Sequence, residues 1–96
     1  MIESEKVLER RLCQKVKTAG GWAIKMLATH VTGLPDRIVL LPGGRIYFVE
    51  VKTTNKKPRP IQLAIHRKLE NLGFKVYIVD SSELIESLPM PKTFGE

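Results

Sequence analysis

The sequence predicts one α/β domain built on a mixed β-sheet flanked by helices, in the order α-β-β-β-α-β-α. Three observations predict it. Two apolar runs, Ile38-Val39-Leu40-Leu41 and Ile46-Tyr47-Phe48-Val49, flank Pro42-Gly43-Gly44 and read as a β-hairpin. Apolar residues recur at helical spacing on both sides of that hairpin. The second such helix is followed by a buried-type strand, and a crossover helix returns a strand parallel to an earlier one. Ninety-six residues suffice for one domain, residues 1–96, with a core from about 4 to 88 and a short tail.

The elements follow in order. Ser4 caps a helix running to about Ala19, ended by Gly20-Gly21. Leu8, Leu12 and Val16 give it an apolar stripe. Trp22 to Leu27 is a short strand, and Ala28 to Pro35 a loop holding Gly33. The hairpin strands end at Leu41 and run from Arg45 to Lys52. Thr53 to Pro60 is a basic, proline-bearing loop. Pro60 suits the first turn of the second helix, with Ile61, Ile65, Leu69 and Leu72 as its stripe. Gly73 closes that helix, Phe74 to Val79 is the last strand, and Ser81 or Ser82 caps a third helix from Glu83 to Leu88.

Composition narrows the class of function. Hydrophobic residues make up 43% and the net charge is +6, so the chain is globular and basic. That balance points towards a polyanionic partner. From Val51 to Leu69 stand Lys52, Lys56, Lys57, Arg59, Arg67 and Lys68 with no acid among them. Arg10, Arg11, Lys15 and Lys17 form a second basic group. One cysteine, Cys13, excludes an internal disulfide framework and a cysteine-based zinc site. No run approaches the ~18 apolar residues of a membrane span, and the first residues lack the apolar core of a signal peptide. The expectation is a reduced, soluble, cytoplasmic protein of a bacterium or phage-infected host, with no membrane partner.

Carboxylates stand where core residues belong. With a three-residue loop, Leu40 faces Ile46, Ile38 faces Phe48, and Asp36 falls opposite Glu50. One sheet face then holds Asp36, Ile38, Leu40, Ile46, Phe48, Glu50 and Lys52. A two-residue loop would set Asp36 opposite Val51 and separate the acids. The first register gathers the apolar residues and is preferred. Charges at the end of such a face are costly without a partner. On the first helix, Glu5 and Glu9 lie on the side of the apolar stripe. If that stripe covers the same sheet face, a helix glutamate approaches Asp36 and Glu50. Converging carboxylates raise one another's pKa unless a cation neutralises them, and oxygen donors suit Mg²⁺ or Mn²⁺. The blander readings are a turn residue at Asp36 beside a solvent-facing Arg37, an exposed strand end, and acids placed near a helix N-terminus.

Pro35-Asp36, a hairpin and Glu50-Val51-Lys52 resemble the PD-(D/E)XK signature of restriction-endonuclease-like nucleases. Gly33-Leu34-Pro35-Asp36-Arg37, Phe48-Val49-Glu50-Val51-Lys52, Gln62 and Phe74-Lys75-Val76-Tyr77-Ile78-Val79-Asp80-Ser81 are similar to the VRR-NUC branch of that superfamily. The likeness runs from about Ser4 to Leu88 and is greatest to short stand-alone phage and bacterial members. It implies a restriction-endonuclease-like core, a homodimer similar to archaeal Holliday-junction resolvases, and structure-selective DNA cleavage. By position it implies Asp36 and Glu50 as metal ligands with the Val51 carbonyl, Lys52 as catalytic lysine, and Gln62 as support for the centre. The family's acidic residue in the first helix corresponds to Glu5 or Glu9.

These residues define an expected chemistry. Mg²⁺ or Mn²⁺ held by Asp36 and Glu50 would bind a phosphate oxygen and lower the pKa of water. Lys52 would orient or deprotonate that water, or stabilise the phosphorane. Lys56, Lys57, Arg59, Arg67 and Lys68 would hold DNA phosphates, with Lys25 either reaching DNA or marking an edge strand. His66, four residues after Gln62, is either a partly buried structural histidine or a contact to the scissile region. Trp22, Tyr47 and Tyr77 read as core or interface, and Cys13 as packing. The expected activity is cleavage of branched DNA such as four-way junctions by a homodimer. The rivals are a non-catalytic DNA-binding module and a nuclease for flaps, single strands or duplex.

Overall fold

In the computed structural model, which describes residues 3–27, 30–53 and 56–91, a four-stranded sheet lies between helices on both faces. The elements are α1 (Glu5–Thr18), β1 (Trp22–Lys25), β2 (Arg37–Leu41), β3 (Arg45–Val51), α2 (Pro60–Asn71), β4 (Val76–Val79) and α3 (Ser82–Glu86). Their order matches the sequence pattern. The expected loop positions Ala28, Thr29, Thr54 and Asn55, and the tail from residue 92, fall outside the described residues.

Strand order follows chain order, β1-β2-β3-β4, with β3 and β4 parallel through the α2 crossover and the other pairs antiparallel. The hairpin takes the three-residue loop: Leu41 pairs with Arg45, Leu40 with Ile46, and Ile38 with Phe48. Gly43 and Gly44 adopt φ of 85° and 74°, a left-handed pair that side chains would oppose. Ser4 caps α1 through a 3.2 Å bond accepted from the Val7 N–H.

Which face α1 covers differs from expectation. Its buried stripe Leu8, Leu12 and Val16 meets Val39, Leu41, Tyr47, Val49 and Val51, together with Ile85 and Leu88 from the α3 end. These strand residues alternate with Asp36, Ile38, Ile46, Phe48 and Glu50, so α1 lies across the sheet from the Glu50 side chain. The physical reason is continuity. The Val39 face buries Val39, Leu41, Tyr47, Val49 and Val51, with Arg37 answered by Glu9 of α1, whereas the Glu50 face ends in Asp36, Glu50 and Lys52.

The opposite face is covered in part by α2, whose inward line keeps Ile65 and Leu69 of the expected stripe but not Ile61 or Leu72. Ile61 is 46% exposed and Leu72 69% exposed, while His66 is 4% exposed. Gln62, Ile65 and Leu69 are half-buried. The helix thus sets a glutamine and a histidine towards the sheet. Gly33, at φ 94°, fits the loop before β2 against the start of α2, where an added Cβ would stand 2.9 Å from the Ile61 carbonyl oxygen. Away from α2 this face stays open, with Trp22 66% exposed and Ile46 and Ile78 about two-fifths exposed. Tyr47 and Tyr77 instead meet edge to face at 5.1 Å, and the Tyr47 hydroxyl donates to the Pro89 carbonyl.

Candidate active site

Glu50 stands near the end of β3 with its side chain 1% exposed, and Lys52 follows two residues on, towards the same side. Asp36 immediately precedes β2. Since Arg37 pairs with Val49, Asp36 falls across from Glu50, as the hairpin register requires. Asp36 Oδ2 accepts a 2.7 Å hydrogen bond from the Val51 N–H, and the Asp36 carbonyl accepts from the Met26 N–H. These bonds fix the aspartate between β1 and β3.

The Glu50 carboxylate is bracketed. Its Oε2 accepts from Gln62 Nε2 at 2.9 Å and lies 3.3 Å from Lys52 Nζ. The Gln62 carbonyl oxygen accepts from the Arg59 N–H at 2.8 Å, which leaves the amide nitrogen to face Glu50. Oε1 has no hydrogen-bond partner. His66 Nε2, likewise without one, stands 3.7 Å from it.

Burial sets the electrostatics. It pushes the Glu50 carboxyl up to about 7, with the Asp36 charge adding to the rise and Lys52 and Gln62 opposing it. Asp36 is raised chiefly by burial, against the Val51 N–H bond and with added repulsion from Glu9 and Glu5. Burial lowers His66.

The first-helix acids differ in their surroundings. Glu9 is held by Arg37, whose Nε and Nη2 lie 3.2 and 3.1 Å from Glu9 Oε1 and whose Nη1 donates to the Ala23 carbonyl. Arg37 therefore faces α1 and not solvent. Glu5 is exposed. Both acids act on Asp36 through space. Among the described residues, no three His, Cys, Asp or Glu side chains gather closely enough to hold an ion by themselves.

The donors nonetheless fit a hard cation. Two carboxylates and a backbone carbonyl at Val51 are oxygen donors, and Mg²⁺ commonly takes one or two carboxylates and keeps several waters. The buried, unpartnered Glu50 Oε1 is the specific observation: an ionised carboxylate so placed lacks compensation that a cation would provide.

The expected basic residues are exposed. Lys56, Lys57, Arg59, Arg67 and Lys68 are all exposed, the first three on the segment leading from Lys52 into α2. Lys25 is exposed at the end of β1, paired with Arg37 across the strands. Two residues near the site escape a reading from spacing: Arg37, expected to face solvent, is tied to Glu9, and His66 is buried beside Glu50. The i, i+4 relation of His66 to Gln62 was the available signal for the latter.

No protein-family profile matches the chain. A protein named "Putative nuclease p44", from Acyrthosiphon pisum secondary endosymbiont phage 1, is 42% identical over 85 residues, covering 88% of this chain and 91% of its own. A solved structure described as a VRR_NUC domain matches with a TM-score of 0.83 at 32% identity, over 90% of this chain and 95% of that one. Likeness in both sequence and fold, spanning nearly the whole of each relative, means that the chain belongs to the VRR-NUC family.

Proposed function

We propose that the protein is a Mg²⁺- or Mn²⁺-dependent endonuclease that hydrolyses phosphodiester bonds in DNA, preferentially branched DNA such as four-way junctions. The observation that carries this reading is the Asp36–Glu50 pair, half-buried and buried respectively, with Lys52 3.3 Å from Glu50 and a run of exposed cations leading away from it. A non-catalytic DNA-binding module gains nothing from paired acids facing phosphates. The relative named as a nuclease supports the same reading.

A divalent cation held by Asp36, Glu50 and the Val51 carbonyl supplies Lewis acidity towards the phosphodiester and towards water. The residues of the chain do the rest. Gln62 and Lys52 hold Glu50 Oε2, and the Val51 N–H holds Asp36 Oδ2, so one oxygen of each carboxylate is held before substrate arrives. The Lys52 ammonium offsets charge on the phosphorane and orients the attacking water. Lys56, Lys57 and Arg59 hold phosphates beside the scissile bond, with Arg67 and Lys68 extending the contact without reading sequence; Lys25, opposed to Arg37, stands on the α1 side of the sheet and away from Glu50.

The reading includes a homodimer, because two symmetric nicks in a junction need two centres. The open part of the Glu50 face, with Trp22, Ile46 and Ile78 exposed, is the surface that supports it. Trp22 and Ile46 lie at the hairpin-loop end, away from Asp36, so a second copy seated there would leave the carboxylates accessible.

The test is incubation of purified protein with labelled four-way junction, flap and linear duplex, in Mn²⁺ or EDTA. Paired nicks in the junction with Mn²⁺ and none with EDTA are expected. Equal nicking of duplex and junction would overturn branch selectivity, and no cleavage in any metal would overturn the nuclease.

A further inference from the structure

Helix α2 places its apolar residues and its polar ones in an unusual arrangement. It leaves Ile61 and Leu72 largely exposed and buries His66. A histidine kept inside without a partner costs free energy that a leucine at the same place would not. Among the described residues, the buried side-chain polar atoms without a hydrogen bond are two: Glu50 Oε1 and His66 Nε2. They face each other at 3.7 Å, roughly half an ångström beyond hydrogen-bond reach. The other oxygen of that carboxylate is already engaged from the same helix, one turn earlier, by Gln62. One helical turn thus addresses both oxygens of one carboxylate, with one bond made and the other short of closure.

We propose that His66 is a positioning residue for Glu50. Its Nε2–H donates to Oε1 when the carboxylate is drawn into ligation, and it thereby sets the affinity of the centre for a divalent cation. The inference rests on the metal-dependent reading of the site. Each carboxylate oxygen has two lone pairs, so Oε1 can accept from His66 and still serve a cation. Groups that orient a metal ligand in this way alter metal affinity by about 10- to 100-fold when removed.

The experiment is Mn²⁺ titration by calorimetry on the full chain, without DNA, with melting temperatures recorded in EDTA. Parent protein should bind Mn²⁺ and Glu50→Gln should not; absence of binding in the parent would overturn the metal reading itself and this inference with it. Given binding in the parent, His66→Phe should weaken it by about 10- to 100-fold. His66→Gln, whose amide nitrogen reaches close to the position of Nε2, should restore it to within a few-fold. A merely structural histidine would give the opposite pattern, with the melting temperature changed in both variants and the Mn²⁺ affinity in neither. Should His66→Phe fail to fold, His66→Asn, polar but too short to reach Oε1, takes its place with the same expected loss. Parent-like Mn²⁺ affinity in His66→Phe or His66→Asn would overturn the proposal while leaving the nuclease intact.

Discussion

Replacing Glu50 by glutamine should make the metal-free protein more stable at alkaline pH and leave it nearly unchanged in acid. Burial and the Asp36 charge hold this carboxyl at about 7 in the folded protein, against 4.5 ordinarily. A carboxyl raised on folding contributes stability that is fully present below its unfolded value and lost as pH rises through about 7. The loss is the difference of about 2.5 multiplied by 1.36, or about 3 kcal/mol by pH 8.5. Glutamine carries no charge to bury and can still accept from Gln62. The value of about 7 already includes the opposing Lys52 ion pair, so losing that pair does not reduce the advantage further. For a domain of this size about 3 kcal/mol corresponds to roughly 12–24 °C in melting temperature. Thermal melts in EDTA from pH 5 to 8.5 should therefore show the variant's advantage growing by about that amount. Mn²⁺ should raise the melting temperature of the parent at pH 8.5 and not that of the variant. Parallel curves for the two proteins would refute the claim that Glu50 is buried at an electrostatic cost, and with it the reason for placing a cation there.

Other outcomes follow from the same geometry. Asp36→Asn should abolish cleavage and leave or tighten DNA binding in a mobility-shift assay, since a negative charge facing phosphates is removed; Lys52→Ala should lose cleavage yet retain Mn²⁺ binding in calorimetry. Glu5→Gln should lower metal-dependent cleavage without lowering the melting temperature, whereas Glu9→Gln should lower the melting temperature as well, because Arg37 and the Ala23 carbonyl lose their tie to α1. Neutralising Lys56, Lys57 and Arg59 together should reduce the slope of log affinity against log salt by about 2 to 3 for duplex DNA. Trp22→Asp should convert a light-scattering dimer to monomer at micromolar concentration without changing the far-ultraviolet circular dichroism.

The element order, the α1 stripe and the hairpin register were all legible, because each rests on a local rule: helical spacing, glycines that tolerate left-handed φ, and period-two alternation. The register carried Asp36 opposite Glu50 with it. What could not be read was the face that α1 covers. Ile38 and Leu40 alternate with Val39 and Leu41, so both faces of β2 are apolar and alternation gives no preference. The stripe of α2 misled for a related reason. Ile61 and Leu72 share the helical spacing of Ile65 and Leu69, but the helix rests on Glu50, so its inward line runs through Gln62 and His66 as well as Ile65 and Leu69 and leaves the two ends of the stripe outside. Arg37 looked like a solvated neighbour of Asp36 because nothing local foretold Glu9, 28 residues earlier, as its partner.

The bond from the Arg59 N–H to Gln62 sets a limit on how this chain can drift. Position 59 lies between Pro58 and Pro60, in a polar connection whose side chains are free to vary in charge and size. Its backbone hydrogen is not free to vary. That hydrogen occupies the carbonyl end of the Gln62 amide and so turns the amino end towards Glu50. A proline at 59 would continue a proline run at little local cost, yet it would remove the hydrogen and let the amide rotate. Any other residue at 59 keeps that hydrogen, so the charge carried by this position and the orientation of the Gln62 amide depend on different parts of one residue.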